Sequence, residues 1–170
     1  MKRKRLLVAV MALVAGGLLA VSVVPVSAAS KAQENAIRNR CDTIRDSLKD
    51  VQKADAKVRV YLGALYETIL TDYVMPLNVR LVENNLSTPD LVENQNKIAD
   101  TRTLFNNDYV SYQQDLEDLA LMDCREKPED FYNKLVKVQQ KRKIVEQDTL
   151  KMRTLISEHV KLANQIKGKL

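Results

Sequence analysis

The chain has 170 residues, with 27 Lys and Arg against 22 Asp and Glu, a single His, two Cys, no Trp and few Gly or Pro. Its net charge of +5 does not argue for a nucleic-acid partner, because residues 1–28 hold four of the bases and no acid, leaving 23 against 22 in the remainder. One histidine and so few loop-forming residues leave little material for a catalytic centre, while the roughly 140 residues after the leader suffice for one domain with its own core.

Residues 1–28 differ in kind from the rest. Lys2, Arg3, Lys4 and Arg5 form a basic n-region, Leu6–Val24 is an uncharged apolar run, and Pro25 leads into Val26-Ser27-Ala28-Ala29. Small residues at these positions suit signal-peptidase cleavage after Ala28 or Ala29. A 19-residue apolar run is also near the ~20 that span a bilayer, so an uncleaved anchor is the alternative. Either outcome places the remainder outside the cytoplasm, secreted or held on the outer face of the membrane by residues 6–24. In that oxidising compartment Cys41 and Cys124 are expected to form a disulfide; two buried thiols are the other reading.

From residue 29 to residue 40 the sequence is polar but helix-forming, and a helical lead into the domain is expected. Stepping alternately by four and three from Ile37 then reaches Cys41, Ile44, Leu48, Val51, Asp55, Val58, Leu62, Leu65, Ile69, Asp72, Pro76 and Val79. This heptad pattern predicts one long helix to about residue 84 with a narrow apolar stripe. Pro76 cannot donate a backbone hydrogen bond and crowds the carbonyl four residues back, so a kink is expected in that turn. Asn84 and Asn85 tolerate the left-handed conformation that ends helices.

Ser87-Thr88-Pro89-Asp90 is a helix start, with a hydroxyl cap, proline at the first position and an acid in the first turn. A second helix over about 89–122 repeats the stepping at Leu91, Gln95, Ile98, Arg102, Phe105, Tyr109, Tyr112, Leu116 and Leu119. A third, over about 129–168, repeats it through Phe131, Leu135, Val138, Arg142, Val145, Thr149, Met152, Ile156, His159, Ala163 and Ile166. Short turns between long helices predict an all-α fold, an elongated antiparallel three-helix, coiled-coil-like bundle running up, down and up over residues 41–170.

Folding the chain at its two turns brings three polar intruders on apolar seams to one height, predicting a core polar layer of Asp72, Arg102 and Thr149. Asp55 and Arg142 form a less well aligned second pair. Cys41 and Cys124 both fall at the base, so a bridge would clamp the end nearest the membrane. Tyr66 and Tyr73 flank the first stripe with Tyr61 nearby, and Tyr109 and Tyr112 lie on the second; such rings are expected at the core edge with hydroxyls outward, a sugar- or protein-binding stripe being the alternative.

Charge is unevenly placed: residues 86–126 hold three bases and nine acids, residues 127–170 eleven bases and five acids. Neighbouring helices complementing each other is one reading; a face of Lys134, Lys137 and Lys141 for an anionic polymer is the other. His159 lies on a core seam and is expected to pack there or to cap the carbonyl freed at Pro76. No nucleophile-histidine arrangement, Cys-x-x-Cys, glycine-rich phosphate loop or His-Glu-x-x-His occurs, and no cofactor or metal is implied. The expected function is therefore a non-enzymatic exported module of the cell envelope, structural or interacting with a protein or envelope polymer, with self-association possible through exposed stripes. A holdase-like or polymer-binding module using the basic third helix is the first alternative, and an enzyme without a recognisable motif the second.

Overall fold

A computed structural model describes residues 29–86 and 88–167, and every regular element among them is helical. The leader expected at 1–28 lies outside the described residues. Among the described residues no helix is long and apolar enough to cross a membrane.

The lead is a helix in its own right. In α1 (Lys31–Asn39) the Ser30 hydroxyl accepts from the Gln33 backbone N–H at 3.3 Å, while the Ser30 N–H donates to Gln33 Oε1 at 2.8 Å. This reciprocal capping satisfies two N–H groups that would otherwise lack partners. Ile37 is buried, and Gln33 Nε2 donates to the Tyr132 hydroxyl at 3.4 Å. Arg40 leaves helical geometry at φ −113° and ψ 15°, so the first helix does not run unbroken from residue 37; α2 (Cys41–Thr68) starts afresh.

The kink expected near Pro76 takes a specific form. Ile69–Val74 is a π-helical turn, closed by the Met75 N–H donating to the Leu70 carbonyl, and α3 (Met75–Glu83) follows it. A π turn holds one more residue than the α-helical arc it replaces, so every side chain beyond it is rotated relative to the 3.5-residue repeat. Ahead of the turn Tyr66 is already buried in place of the exposed Leu65, and through the turn the buried positions continue four apart at Leu70, Val74 and Asn78 rather than at Ile69, Asp72, Pro76 and Val79. The end of α3 conforms to expectation. Asn85 adopts φ 59°, Leu86 N–H reaches the Leu81 carbonyl at 2.8 Å, and Asn85 N–H reaches that of Val82 at 3.0 Å, a Schellman closure.

Pro89 opens α4 (Pro89–Leu121) and Pro128 opens α5 (Pro128–Lys167). The connection between them is shaped by Asp123, whose carboxylate accepts from the backbone N–H groups of Arg125 and Glu126 at 2.9 and 3.1 Å. It holds Cys124 with no exposed surface.

Contacts along the chain order the packing. On one flank of α4 the partners run Cys41–Cys124, Arg45 Nε to the Ala120 carbonyl, Arg59 to Gln113, Glu67 to Arg102 and Asn78 to Leu91, in opposite directions along the two segments. On the other flank Lys134–Asp115, Lys141–Ser111 and His159–Asn94 set α5 antiparallel to α4 as well. Packed on both sides, α4 supplies most of the innermost core, including Leu91, Ile98, Phe105, Tyr112, Leu116 and Leu119. Each such side chain contributes about 1.5–3 kcal/mol relative to exposure. While α2 packs on α4, and α1 on α5, α2 and α5 meet through long side chains, as where Arg142 reaches Asp55.

Candidate functional site

The opening between α2 and α5 is a cleft of about 640 Å³. Val58 and Leu62 form one wall, Gln139, Arg142, Val145 and Thr149 the other, and Phe105, Tyr109 and Tyr112 of α4 the floor. Its width has a sequence origin: α5 presents Arg142 and Thr149 at seam positions where neighbouring turns carry Val138, Val145 and Met152. Polar groups there give α2 little apolar surface to close upon.

Asp55 organises the lower end. Its Oδ2 accepts from the Tyr112 hydroxyl at 2.6 Å, its Oδ1 takes Arg142 at 3.2 Å, and its backbone carbonyl accepts from Tyr109. Asp55 and Arg142 thus do pair: Tyr112 stands opposite Asp55 and Ser111 opposite Lys141, so the two are nearly level, and the mismatch in the heptad construction comes from the register it assigns between the first and second helices. Arg59 lies over the Tyr109 ring, 5.7 Å from its centroid, and donates to Gln113 at 3.1 Å. Burial pushes the Tyr109 phenol up to about 12, reinforced by the Asp55 carboxylate; burial likewise raises Tyr112, with its hydrogen bond to Asp55 second. Both phenols therefore remain donors throughout the physiological range.

The rings continue as a string. Tyr66 meets Phe105 edge-on at 5.3 Å, Phe105 meets Tyr109 at 5.8 Å, and Tyr109 meets Tyr112 edge-on at 5.8 Å. Tyr66, Tyr109 and Tyr112 are buried rather than at the core edge, and for Tyr109 and Tyr112 the reason is that Asp55 offers their phenols partners inside. Tyr61 and Tyr73 face solvent.

The predicted layer of Asp72, Arg102 and Thr149 does not assemble. Asp72 lies off the buried face, which has moved from Leu65 to Tyr66 ahead of it; it is exposed and accepts from the Thr71 hydroxyl at 2.8 Å. Arg102 pairs with Glu67 instead, and Thr149 donates to the Val145 carbonyl at 3.0 Å beside Tyr66. A buried polar layer exists nearer the α3–α4 turn. There the Asn78 amide donates to Gln95 Oε1 at 2.7 Å and to the Leu91 carbonyl at 3.2 Å, and His159 Nδ1 meets Asn94 Oδ1 at 3.1 Å. With the Asn94 amide nitrogen directed at Glu158, the histidine is assigned as the Nδ1–H donor, and burial lowers its pKa. His159 is thus a packed core residue held by Asn94.

The lysines proposed as a polymer-binding face converge on Asp115, which has about 10% of its side chain exposed. Lys134 reaches it at 2.7 Å, Lys141 at 2.5 Å and Lys137 at 3.6 Å, with Lys134 also on Asp118 and Lys141 on the Ser111 hydroxyl. Hydrogen bonds from Lys134 and Lys141 outweigh the desolvation of Asp115 and bring its carboxyl down to about 2. The acidic excess of α4 and the basic excess of α5 here neutralise each other, and only Lys137 keeps most of its surface free. At the base Cys41 and Cys124 form the expected disulfide, with Cα atoms 5.6 Å apart, and Arg125 pairs with Asp42 beside it.

No protein-family model matches the chain, and no curated protein or solved structure shows significant similarity to it.

Proposed function

We propose that the chain is an exported, non-catalytic interaction module of the cell envelope: an up-down-up three-helix rod, clamped at its base, whose cleft receives an extended apolar segment of another exported protein. The observation that carries this reading is the cleft itself, a largely apolar trough between α2 and α5 walled by Val58, Leu62 and Val145 above the buried rings of Phe105, Tyr109 and Tyr112. Its dimensions fall within the range of ligand-binding clefts. Its charges balance, since Asp55 faces Arg142 and Glu146 stands beside Lys143, so a neutral apolar segment suits it better than a charged one. The basic n-region and apolar run of the leader support export, as does the disulfide. The polymer-binding alternative draws less support, because Lys134 and Lys141 are engaged with Asp115.

The test is an NMR titration of the disulfide-intact protein with neutral decapeptides rich in Leu and Phe. Saturable shifts at Tyr109, Tyr112 and Val145, lost in Val58→Arg and with Ser-substituted peptides, are expected. Val58 is 48% exposed and lines the trough, so this substitution blocks it without removing a core side chain. Equal binding to Val58→Arg, or no saturable response at all, would overturn the proposal.

A further inference from the structure

The side of α2 facing away from α4 carries a second apolar stripe. Val60, Tyr61, Ala64 and Leu65 lie together on it with Ala56, Lys57 and Thr68. Val60 and Tyr61 are 73% and 67% exposed. Charged residues bracket the stripe: Lys53 and Lys57 lie towards the base, and Asp72 beyond its other end.

We infer that this face joins two copies of the chain in an antiparallel, twofold-symmetric pair with its axis level with Leu62 and Gly63. Three features converge on that arrangement. Tyr61, the largest group on the stripe, falls opposite Ala64 of the second copy, a projection against a gap, and Val60 falls opposite Leu65. Lys53 of each copy falls opposite Asp72 of the other, so both charged ends are complementary, and Lys57 meets Thr68. Parallel pairing would set Lys53 against Lys53 and Asp72 against Asp72, and moving the twofold to the level of Thr68 and Ile69 would set Lys57 against Arg80; both arrangements juxtapose like charges.

The charged groups are available for this role. Asp72 accepts only from its neighbour Thr71 among the hydrogen bonds of the described residues. Lys53 is 4.0 Å from Asp50 with both side chains largely exposed, and Lys57 makes no ion pair among the described residues. Asp72 lies on the outer face with Thr68 and Leu65, four and seven residues before it, and is exposed.

From Lys53 to Asp72 the stripe is about 30 Å long, enough to bury roughly 500–600 Å² on each copy. That total lies at the low end of specific interfaces, so association is expected in the micromolar range. The pairing surface faces away from α4 and adjoins the cleft only at its edge, where Leu65 follows Val58 and Leu62 on α2.

Sedimentation velocity on the chain recovered from an exporting host, disulfide intact, from about 1 to about 200 μM, tests this. A concentration-dependent dimer is expected, weakened at least tenfold by Lys53→Glu or by Asp72→Lys alone. The Lys53→Glu/Asp72→Lys double variant regenerates both pairs with reversed sign and should recover most of the wild-type association. Ala64→Arg, at an exposed position, should leave only monomer. A wild-type chain monomeric throughout, a dimer indifferent to Lys53→Glu, or a double variant no better than the singles would each overturn the inference. Far-UV circular dichroism on each variant separates lost pairing from lost folding.

Discussion

Replacing Asp115 by asparagine should remove a substantial part of the attachment of α5 to α4. In the folded chain this carboxyl lies at about 2, against 3.8 for an ordinary aspartate. A difference of that size corresponds to about 2 kcal/mol of stability from ionised Asp115. Asparagine keeps the shape and one acceptor but leaves Lys134 and Lys141 crowded around a neutral group, so the loss should be about 2–3 kcal/mol. For a domain of this length that lowers Tm by about 6–10 °C. Because folding lowers this pKa, the native state takes up the proton less readily than the unfolded chain. The contribution is therefore full above 3.8 and drains away as pH falls towards 2. Urea unfolding of wild type and Asp115→Asn between pH 7 and pH 2 should give a gap that is constant above pH 5 and closes in acid, with equal m-values. The limited exposure of the pair means that 0.5 M NaCl should reduce the gap only modestly. A gap below about 0.5 kcal/mol at pH 7, or one persisting at pH 2, would refute this account of the α4–α5 contact.

Reduction of the disulfide, or the Cys41→Ser/Cys124→Ser variant, frees a loop with sequence separation 83 and should cost up to ~4.5 kcal/mol on the chain-entropy account, roughly 15 °C in a thermal melt. Thr101 is fully buried and its hydroxyl has no hydrogen-bond partner among the described residues, so Thr101→Val should raise stability in urea by about 1 kcal/mol. Burial, with Asp108 second, raises the Asp148 carboxyl, so the folded state holds that proton more tightly than the unfolded chain and the stability it provides is lost as pH rises. Asp148→Asn should therefore melt higher than wild type at pH 7 and show no advantage at pH 3. His159 shifts in the other direction: its pKa is lowered, so stability is full above 6.5 and falls as pH drops below it, and a shallow decline in Tm from pH 7 to pH 5 should be absent in His159→Gln.

The core of α4 and α5 was legible because nothing interrupts the helical period there. Ile98, Phe105, Tyr112 and Leu119, and Phe131, Val138, Val145 and Met152, recur every seven residues and all are buried. The disulfide was legible because both cysteines fall at the same end once the turns are placed. Phase failed in the first segment. Pro76 signals a disturbance, but a sequence does not say whether the helix bends, breaks or widens, and a widened turn rotates everything after it by about one position. The buried face had already slipped from Leu65 to Tyr66 ahead of that turn, leaving Asp72 outside, and the extra residue of the turn then puts Asn78 in the core, so that the buried polar groups at that end are Asn78, Asn94 and His159. The helix at Lys31–Asn39 had a readable sign in Ser30-x-x-Gln33, whose capping geometry the pattern of apolar residues could not reveal.

The inward tyrosines show how a single polar residue can decide the use of several large ones. Tyr109 and Tyr112 would gain little by burying their hydroxyls in an apolar core, since an unpartnered hydroxyl costs about 1–3 kcal/mol. Asp55 removes that cost for both, accepting one phenol on its side chain and the other on its backbone, and Arg142 compensates its charge from α5. The same cluster is too polar to draw α2 and α5 into apolar contact, so the rings gain partners while the cleft above them stays open. If that reasoning holds, Asp55→Leu with Arg142→Leu should pull the two helices together and shrink the trough, at the expense of leaving two phenols without acceptors. Loss of peptide binding would then accompany a structure that is still helical, distinguishing closure of the cleft from collapse of the fold.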